Sequence, residues 1–187
     1  MCIRDRYGPC LIIVPEWKPP IYDRDGISLI TSSVRRNNPQ CIDSKIHHNN
    51  LINNILAKIE ANIAGVEDAI MLDLNGFVSE TNATNIFVIK KGCLLTTHAD
   101  SCLAGITRGI ILKIAEENDI PVSERNISLS EVHSADEVFT TGTMGELAPV
   151  LKVDGRQIGV GCAGRLTQKL QALYKDATEN EGQPLPF

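Results

Sequence analysis

No run of apolar residues in this 187-residue chain approaches the roughly 20 that a helix needs to cross a bilayer, and no stretch reads as a secretory signal. A membrane-spanning protein is therefore not expected, and a cytoplasmic one is. A basic excess is missing as well. The formal net charge of -5 and the pI near 5.4 leave no electrostatic footprint for nucleic acid or an anionic membrane surface. The six cysteines (Cys2, Cys10, Cys41, Cys93, Cys102, Cys162) show no Cys-x-x-Cys spacing. They lie in a chain too large to need disulfide staples, which points to reduced thiols. Metal-ligand spacing is absent too: His47 and His48 are adjacent and cannot share a helix face, and His98 and His133 lack acidic or cysteine partners. No zinc site is expected. The chain has no internal repeat and no low-complexity tract.

A hydrophobic share of 43% over this length is that of an ordinary globular protein with one sizeable core. The start is unusual. Met1 to Arg6 has no periodicity and no cap, and resembles the translation of a sequencing-library adapter, so the chain's own sequence is expected to enter at about Tyr7. Cys10 to Pro15 is a short β-branched run closed by proline, which reads as one strand. Glu16 to Tyr22, with Pro19-Pro20 at its centre, reads as a stiff linker. A strand before a linker has no sheet of its own, so residues 1–15 are expected to be the remnant of an upstream domain, with 16–22 as the linker and 23–187 as the main domain.

Gly26 to Val34 reads as a strand ending at the basic pair Arg35-Arg36. Leu51, Ile52, Ile55, Leu56, Ile59 and Ile63 recur at helical spacing, and Gly65 stops them. That helix is expected to pack this face on the core, with Lys45 just ahead of it. Ala69–Asp73, Asn75-Gly76 and Phe77–Ser79 form the strongest hairpin signal. Asn85–Ile89 and Cys93–Thr96, joined by Lys91-Gly92, form a second hairpin. A helix opens at Leu103–Arg108, and Val122–Ile127 reads as a strand. Ser128 and Glu131 fit a capping box. Glu137–Thr141, Leu147–Val153 and Gln157–Val160 read as strands, Arg165–Ala177 as a last helix, and Thr178–Phe187 as a fraying tail. The pattern predicts a mixed α and β fold with a largely antiparallel, barrel-like sheet.

Four places could carry chemistry, each with an ordinary alternative. Lys45 reads as a solvated charge or as a partly desolvated amine that forms a Schiff base with a carbonyl. Glu80 reads as a loop acid, or as a carboxylate held at a strand end to pair with a protonated ring nitrogen. Gly105-Ile106-Thr107 offers free N–H groups, a hydroxyl and the positive end of a helix dipole, which suit phosphate or serve simply as a cap. Gly142-Thr143 is a second small, hydroxyl-bearing turn.

In order, the chain carries Lys45 ahead of Asn49-Asn50 and a helix, then Gly76-Phe77-Val78-Ser79-Glu80 running to Asn85-Ile86-Phe87. Leu103-x-Gly105-Ile106-Thr107-Arg108, Ala135-Asp136-Glu137-Val138-Phe139-x-x-Gly142-Thr143 and Pro149-Val150-x-x-x-Asp154-Gly155 follow. This set resembles the class IV (fold-type IV) PLP-dependent aminotransferases, which include branched-chain and D-amino-acid aminotransferases and aminodeoxychorismate lyases. The resemblance covers about Leu11 to Tyr174. It implies the C-terminal pseudo-barrel domain of such an enzyme, preceded by a remnant strand of the N-terminal domain.

By that resemblance Lys45 would carry pyridoxal 5'-phosphate covalently and then shuttle the α-proton. Glu80 would pair with the pyridine nitrogen, Ile106 and Thr107 would bind phosphate with Thr143 as a further donor, and Leu103 would pack on the ring. Backbone groups of Met144 and Gly145 would help hold the substrate carboxylate. The implied reaction moves an amine between an amino acid, branched-chain L first, and a 2-oxo acid such as 2-oxoglutarate. D-Amino-acid transamination, aminodeoxychorismate lyase activity and an inactive fragment are the alternatives. A homodimer is implied for the full-length parent. Two departures stand out. Many relatives carry a tyrosine five residues after the lysine, where this chain has Asn50. By the resemblance, the family's N-terminal domain, which supplies a phosphate-binding arginine and half of the pocket, is expected to be represented only by its last strand.

Overall fold

In a computed structural model, residues 10–23, 25–100 and 102–182 are described. In chain order their elements are β1 (Ile27–Thr31), α1 (Ile52–Ala64), β2 (Asp68–Leu72), β3 (Val78–Thr81), β4 (Asn85–Lys90) and β5 (Cys93–Thr96). After these come α2 (Ile106–Glu117), β6 (Val122–Glu124), α3 (Leu129–His133), β7 (Glu137–Gly142), β8 (Glu146–Val153), β9 (Arg156–Gln157) and α4 (Arg165–Asn180).

Alternation in β4 shows how the layers form. Successive strand side chains point to opposite faces, and here Ile86 and Val88 join one core while Phe87 and Ile89 join another. The first core is lined from β1, β2, β3, β4, β5, β7 and β8, with Ile127, Val132 and Ile158 closing its ends. This is the interior of a curled sheet. The second lies outside that sheet, where Phe87, Leu94, Phe139 and Leu147 meet Ile111, Ile114 and Ala115 of α2 and Leu170 and Tyr174 of α4. Phe87 and Phe139, paired across β4 and β7, stack with centroids 5.0 Å apart.

The described strands form one sheet in the order β3-β2-β1-β8-β7-β4-β5-β6, with β9 paired to β8. Hairpins make β2/β3, β4/β5 and β7/β8 antiparallel, whereas β1 runs parallel to both β2 and β8, and β5 parallel to β6. The sheet's two ends approach each other where Val78 N–H of β3 donates to Ile127 O just beyond β6 at 2.8 Å. The fold is thus the expected mixed, barrel-like one. Both hairpins form as read, with left-handed Gly76 and Gly92 in their turns. The Ser128–Glu131 capping box forms as well, Ser128 N–H donating to Glu131 Oε2 at 2.9 Å.

Three expectations are corrected. Leu11–Val14 forms no strand and stands exposed, because a strand needs a neighbour's N–H and C=O groups and none of the described residues offers them there. Its upstream residues 1–9 lie outside the described residues, as do 183–187 of the tail, while α4 extends to Asn180. The packing face of α1 is the opposite of the one expected. Ala57 and Ala61 press on Ala69 and Met71 of β2, and Asn54 is buried beside them, while Ile52, Ile55, Leu56, Ile59 and Ile63 face outward at 44 to 82% exposure. Small residues allow the helix backbone to approach the sheet, and the larger residues are left on the far side. The β9 region pairs only over two residues, shorter than the strand read at Gln157–Val160.

The tight α1 contact generates a test. Ala61→Leu inserts bulk where Ala61 is fully buried and should destabilise the protein by about 1–3 kcal/mol in urea unfolding. An unchanged unfolding midpoint would contradict this packing.

Candidate active site

Glu80 sits on β3, opposite Met71, and is buried. Burying a carboxylate is unfavourable unless donors surround it. Here Arg36, just past the end of β1, supplies two: its Nε donates to Glu80 Oε1 at 2.7 Å, and its Nη2 lies 2.6 Å from the same oxygen. On Oε2, Asn85 Nδ2 donates at 3.2 Å and Leu103 N–H at 3.3 Å. Burial pushes the Glu80 carboxyl up to about 7, against the opposing pull of Arg36 and of the Leu103 amide.

The same donors shape the surrounding wall. Asn85 Nδ2 also donates to Leu103 O at 2.8 Å, pinning the segment that leads into α2. A Cβ on Gly105 would collide with Asn85 Oδ1, so the α2 N-terminus comes this close only because that position is glycine. The helix end has no side-chain cap and no acid in its first turn, leaving N–H groups free for an anion. Beside it lie buried Thr107 and Thr141, and the Thr141 hydroxyl has no hydrogen-bond partner among the described residues.

A cleft of about 520 Å³ brings these parts together. It is lined by Glu80, Thr84, Asn85 and Leu103–Thr107, and by Thr141–Gly145 at the β7–β8 turn, with Tyr22 and His47 at its edge. Ile21 N–H donates to Met144 O at 3.1 Å, and the Tyr22 ring fills the space that a Cβ on Gly145 would take. The Tyr22 hydroxyl donates to buried Asp68 at 2.5 Å, and burial together with the Asp68 carboxylate raises its pKa. The residues just before β1 are thereby fastened across the cleft's rim.

Of the residues singled out from sequence, Glu80, Leu103, Ile106, Thr107, Thr143, Met144 and Gly145 all line this one cleft. Lys45 does not. It lies in a turn of the 37–51 segment, its side chain half exposed and its Nζ 4.0 Å from Asp43 Oδ2, two residues from cleft-lining His47. Asn50 is exposed, its N–H donating to His48 Nδ1 at 3.1 Å. Sequence reasoning missed Arg36, Asn85, Thr141 and His47. Asn85 entered only as part of the motif ending Asn85-Ile86-Phe87, and the basic pair Arg35-Arg36 marks a strand end, which does not reveal which of two arginines turns inward. Cys102, buried nearby, is no nucleophile candidate, since burial raises its thiol to about 11 and keeps it protonated at neutral pH.

The family model described as amino-transferase class IV matches residues 5–153, and the chain belongs to that family. It is 61% identical over 183 residues to branched-chain-amino-acid aminotransferase-like protein 2 of Arabidopsis thaliana, covering 97% of this chain and 33% of that protein. It is 42% identical over 154 residues to the branched-chain-amino-acid aminotransferase of Pseudomonas aeruginosa, covering 82% of this chain and 50% of the relative. The T.th. branched-chain amino acid aminotransferase, solved with N-(5'-phosphopyridoxyl)-L-glutamate, superposes with a TM-score of 0.82 at 35% identity. That match covers 85% of this chain and 54% of the other. The chain spans a third to about half of the length of these relatives.

The Glu80 environment sets a pH dependence. Its carboxyl holds a proton more tightly folded, near 7, than at its ordinary value of 4.5. Between those values the folded state binds more protons, so this contribution to stability is full below about pH 4.5 and is lost as pH rises through about 7. Urea unfolding of the wild type and Glu80→Gln across that range should show the wild type's advantage shrinking with rising pH. An advantage that widens would contradict the assignment.

Proposed function

We propose that residues 23–187 are the cofactor-binding part of a pyridoxal 5'-phosphate-dependent aminotransferase acting on branched-chain L-amino acids, with 16–22 as the linker to an upstream domain. The observation that carries this is the single cleft holding an uncapped helix N-terminus, an unpartnered buried hydroxyl and a buried carboxylate. These features fit the cofactor's two ends: N–H groups and hydroxyls for a phosphate, and a carboxylate for a protonated ring nitrogen. The names of relatives, at up to 61% identity, favour branched-chain substrates over the D-amino-acid and lyase alternatives. The phosphopyridoxyl-glutamate bound to the T.th. enzyme supports both the cofactor and a 2-oxoglutarate/glutamate pair as amine carrier.

When bound, pyridoxal 5'-phosphate supplies an electron sink for negative charge developing at an amino acid's α-carbon. The chain's own groups do the rest. The backbone N–H groups of Ile106 and Thr107, with the hydroxyls of Thr107, Thr143 and Thr141, hold the phosphate. Glu80 keeps the ring nitrogen protonated by offering it an ionic partner. Leu103 packs against the ring and excludes water. The Lys45 amine, which lies outside the cleft in this structure, would anchor the cofactor and move the proton at the α-carbon. Backbone groups of Met144 and Gly145 hold the substrate carboxylate.

A homodimer is the assembly we propose for the full-length parent, in a reducing cytoplasm. The outward isoleucine stripe of α1 supports a second copy as its partner. The helix's two charged side chains are engaged by their own chain, Lys58 by Asp68 and Glu60 by Ser32, while the isoleucines stay exposed. Among the described residues no helix is long and apolar enough to cross a membrane.

Assays of the full-length parent with L-valine, D-alanine and aminodeoxychorismate test the substrate reading, which predicts turnover of L-valine. Turnover confined to either other compound would overturn it. Glu80→Gln should retain the cofactor and lose transamination by orders of magnitude, while unchanged turnover would refute the role of Glu80. For the assembly, Ile55→Glu/Ile59→Glu should halve the mass seen by analytical ultracentrifugation, and an unaltered dimer would place the interface elsewhere.

A further inference from the structure

The segment that carries Lys45 leaves the sheet after Arg36 and re-enters structure at α1. Those two ends are joined directly: Arg36 Nη1 donates to Asn54 Oδ1 at 2.7 Å, and both side chains are buried. Asn54 is held in turn, its Nδ2 donating at 2.8 Å to Asn82 O, two residues beyond Glu80. The side chain of Asn82 is fixed by Ala69 N–H at 2.7 Å and reaches Asp68 at 3.2 Å. One guanidinium therefore holds a carboxylate with two N–H groups and the base of a loop with a third.

A planar fork is suited to this, since its donors are fixed relative to one another and a lysine could not copy them. Both of its contacts to Glu80 fall on Oε1, whereas Oε2 has only the longer ones from Asn85 and Leu103.

We propose that Arg36 is a positioning residue that orients the Glu80 carboxylate and, through Asn54, closes the base of the loop bearing Lys45, so that one side chain sets both the acid and the amine of the site. The assignment rests on the cofactor reading above, but its test does not need the cofactor. The other titratable and charged groups around Glu80 are His47 across the cleft, Cys102 ahead of α2, and Arg108 of α2, which is held by Glu124 at 2.5 Å. Arg36 is the charged side chain that touches Glu80 among the described residues.

The experiment is a carboxyl-carbon NMR titration of the ligand-free chain, with the Glu80 signal assigned by its loss in Glu80→Gln. Arg36→Gln should move the Glu80 midpoint upward by about one pH unit or more, the effect of removing a contacting opposite charge. Arg36→Lys, which keeps the charge but not the fork, should move it less. Asn54→Ala should leave the midpoint nearly in place and speed amide hydrogen exchange across residues 40–50, as Arg36→Gln should also do. If Arg36→Gln does not fold, Arg36→Lys decides. Unchanged Glu80 titration in the folded arginine variants, or unchanged loop exchange, overturns the proposal. A titration that shifts in a full-length parent that never takes up pyridoxal 5'-phosphate would retain the Arg36 assignment and remove the cofactor reading.

Discussion

A carboxylate buried at a strand end constrains everything around it, because an acid removed from water must be met by donors or lose its charge. Glu80 is met from three directions: by Arg36 past the end of β1, by Asn85 at the start of β4, and by the Leu103 amide ahead of α2. Asn85 lies only five residues from Glu80, whereas Arg36 and Leu103 are distant in sequence and are brought to it by the fold. The barrel interior, packed by Ile27, Leu29, Ile70, Val78, Ile86 and Val88, is what holds them in reach. The site and the core are therefore one construction, and the α2 N-terminus is aimed by the same Asn85 that touches Glu80.

Much of this was legible in the sequence, for local reasons. Asn75-Gly76 and Lys91-Gly92 fix two turns by their own backbone preferences, and Ser128 with Glu131 caps α3 within four residues. The cleft residues Glu80, Leu103, Thr107 and Thr143 could be named because each lies in a recognisable short motif. What could not be read depends on contacts between distant segments. Period 3.6 identifies an apolar stripe on α1 but not whether the chain's own core or another surface covers it, and here Ala57 and Ala61 take the inner side. Leu11–Val14 has strand composition, yet composition supplies no neighbouring ladder. Arg36 is indistinguishable from Arg35 until the sheet turns one inward, and the unpartnered hydroxyl of Thr141 has no signature at all outside the fold.

The cleft walls and the Lys45 segment differ in how they are built. Glu80, the α2 N-terminus and the β7–β8 turn are set by strands and helix packing, while Lys45 rides on a turn-rich segment with its amine outside the cleft. Tyr22 and Ile21 add a strap from the preceding segment, bonded to Asp68 and to the Met144 carbonyl.

We propose that Lys45 and Glu80 belong to one cofactor site. It is tested most directly by treating the protein with pyridoxal 5'-phosphate, reducing with borohydride and locating the phosphopyridoxyl group by peptide mass mapping. Modification should fall at Lys45, be abolished by Lys45→Ala and weaken when inorganic phosphate competes. Stable modification at another lysine, with Lys45 untouched, would contradict it.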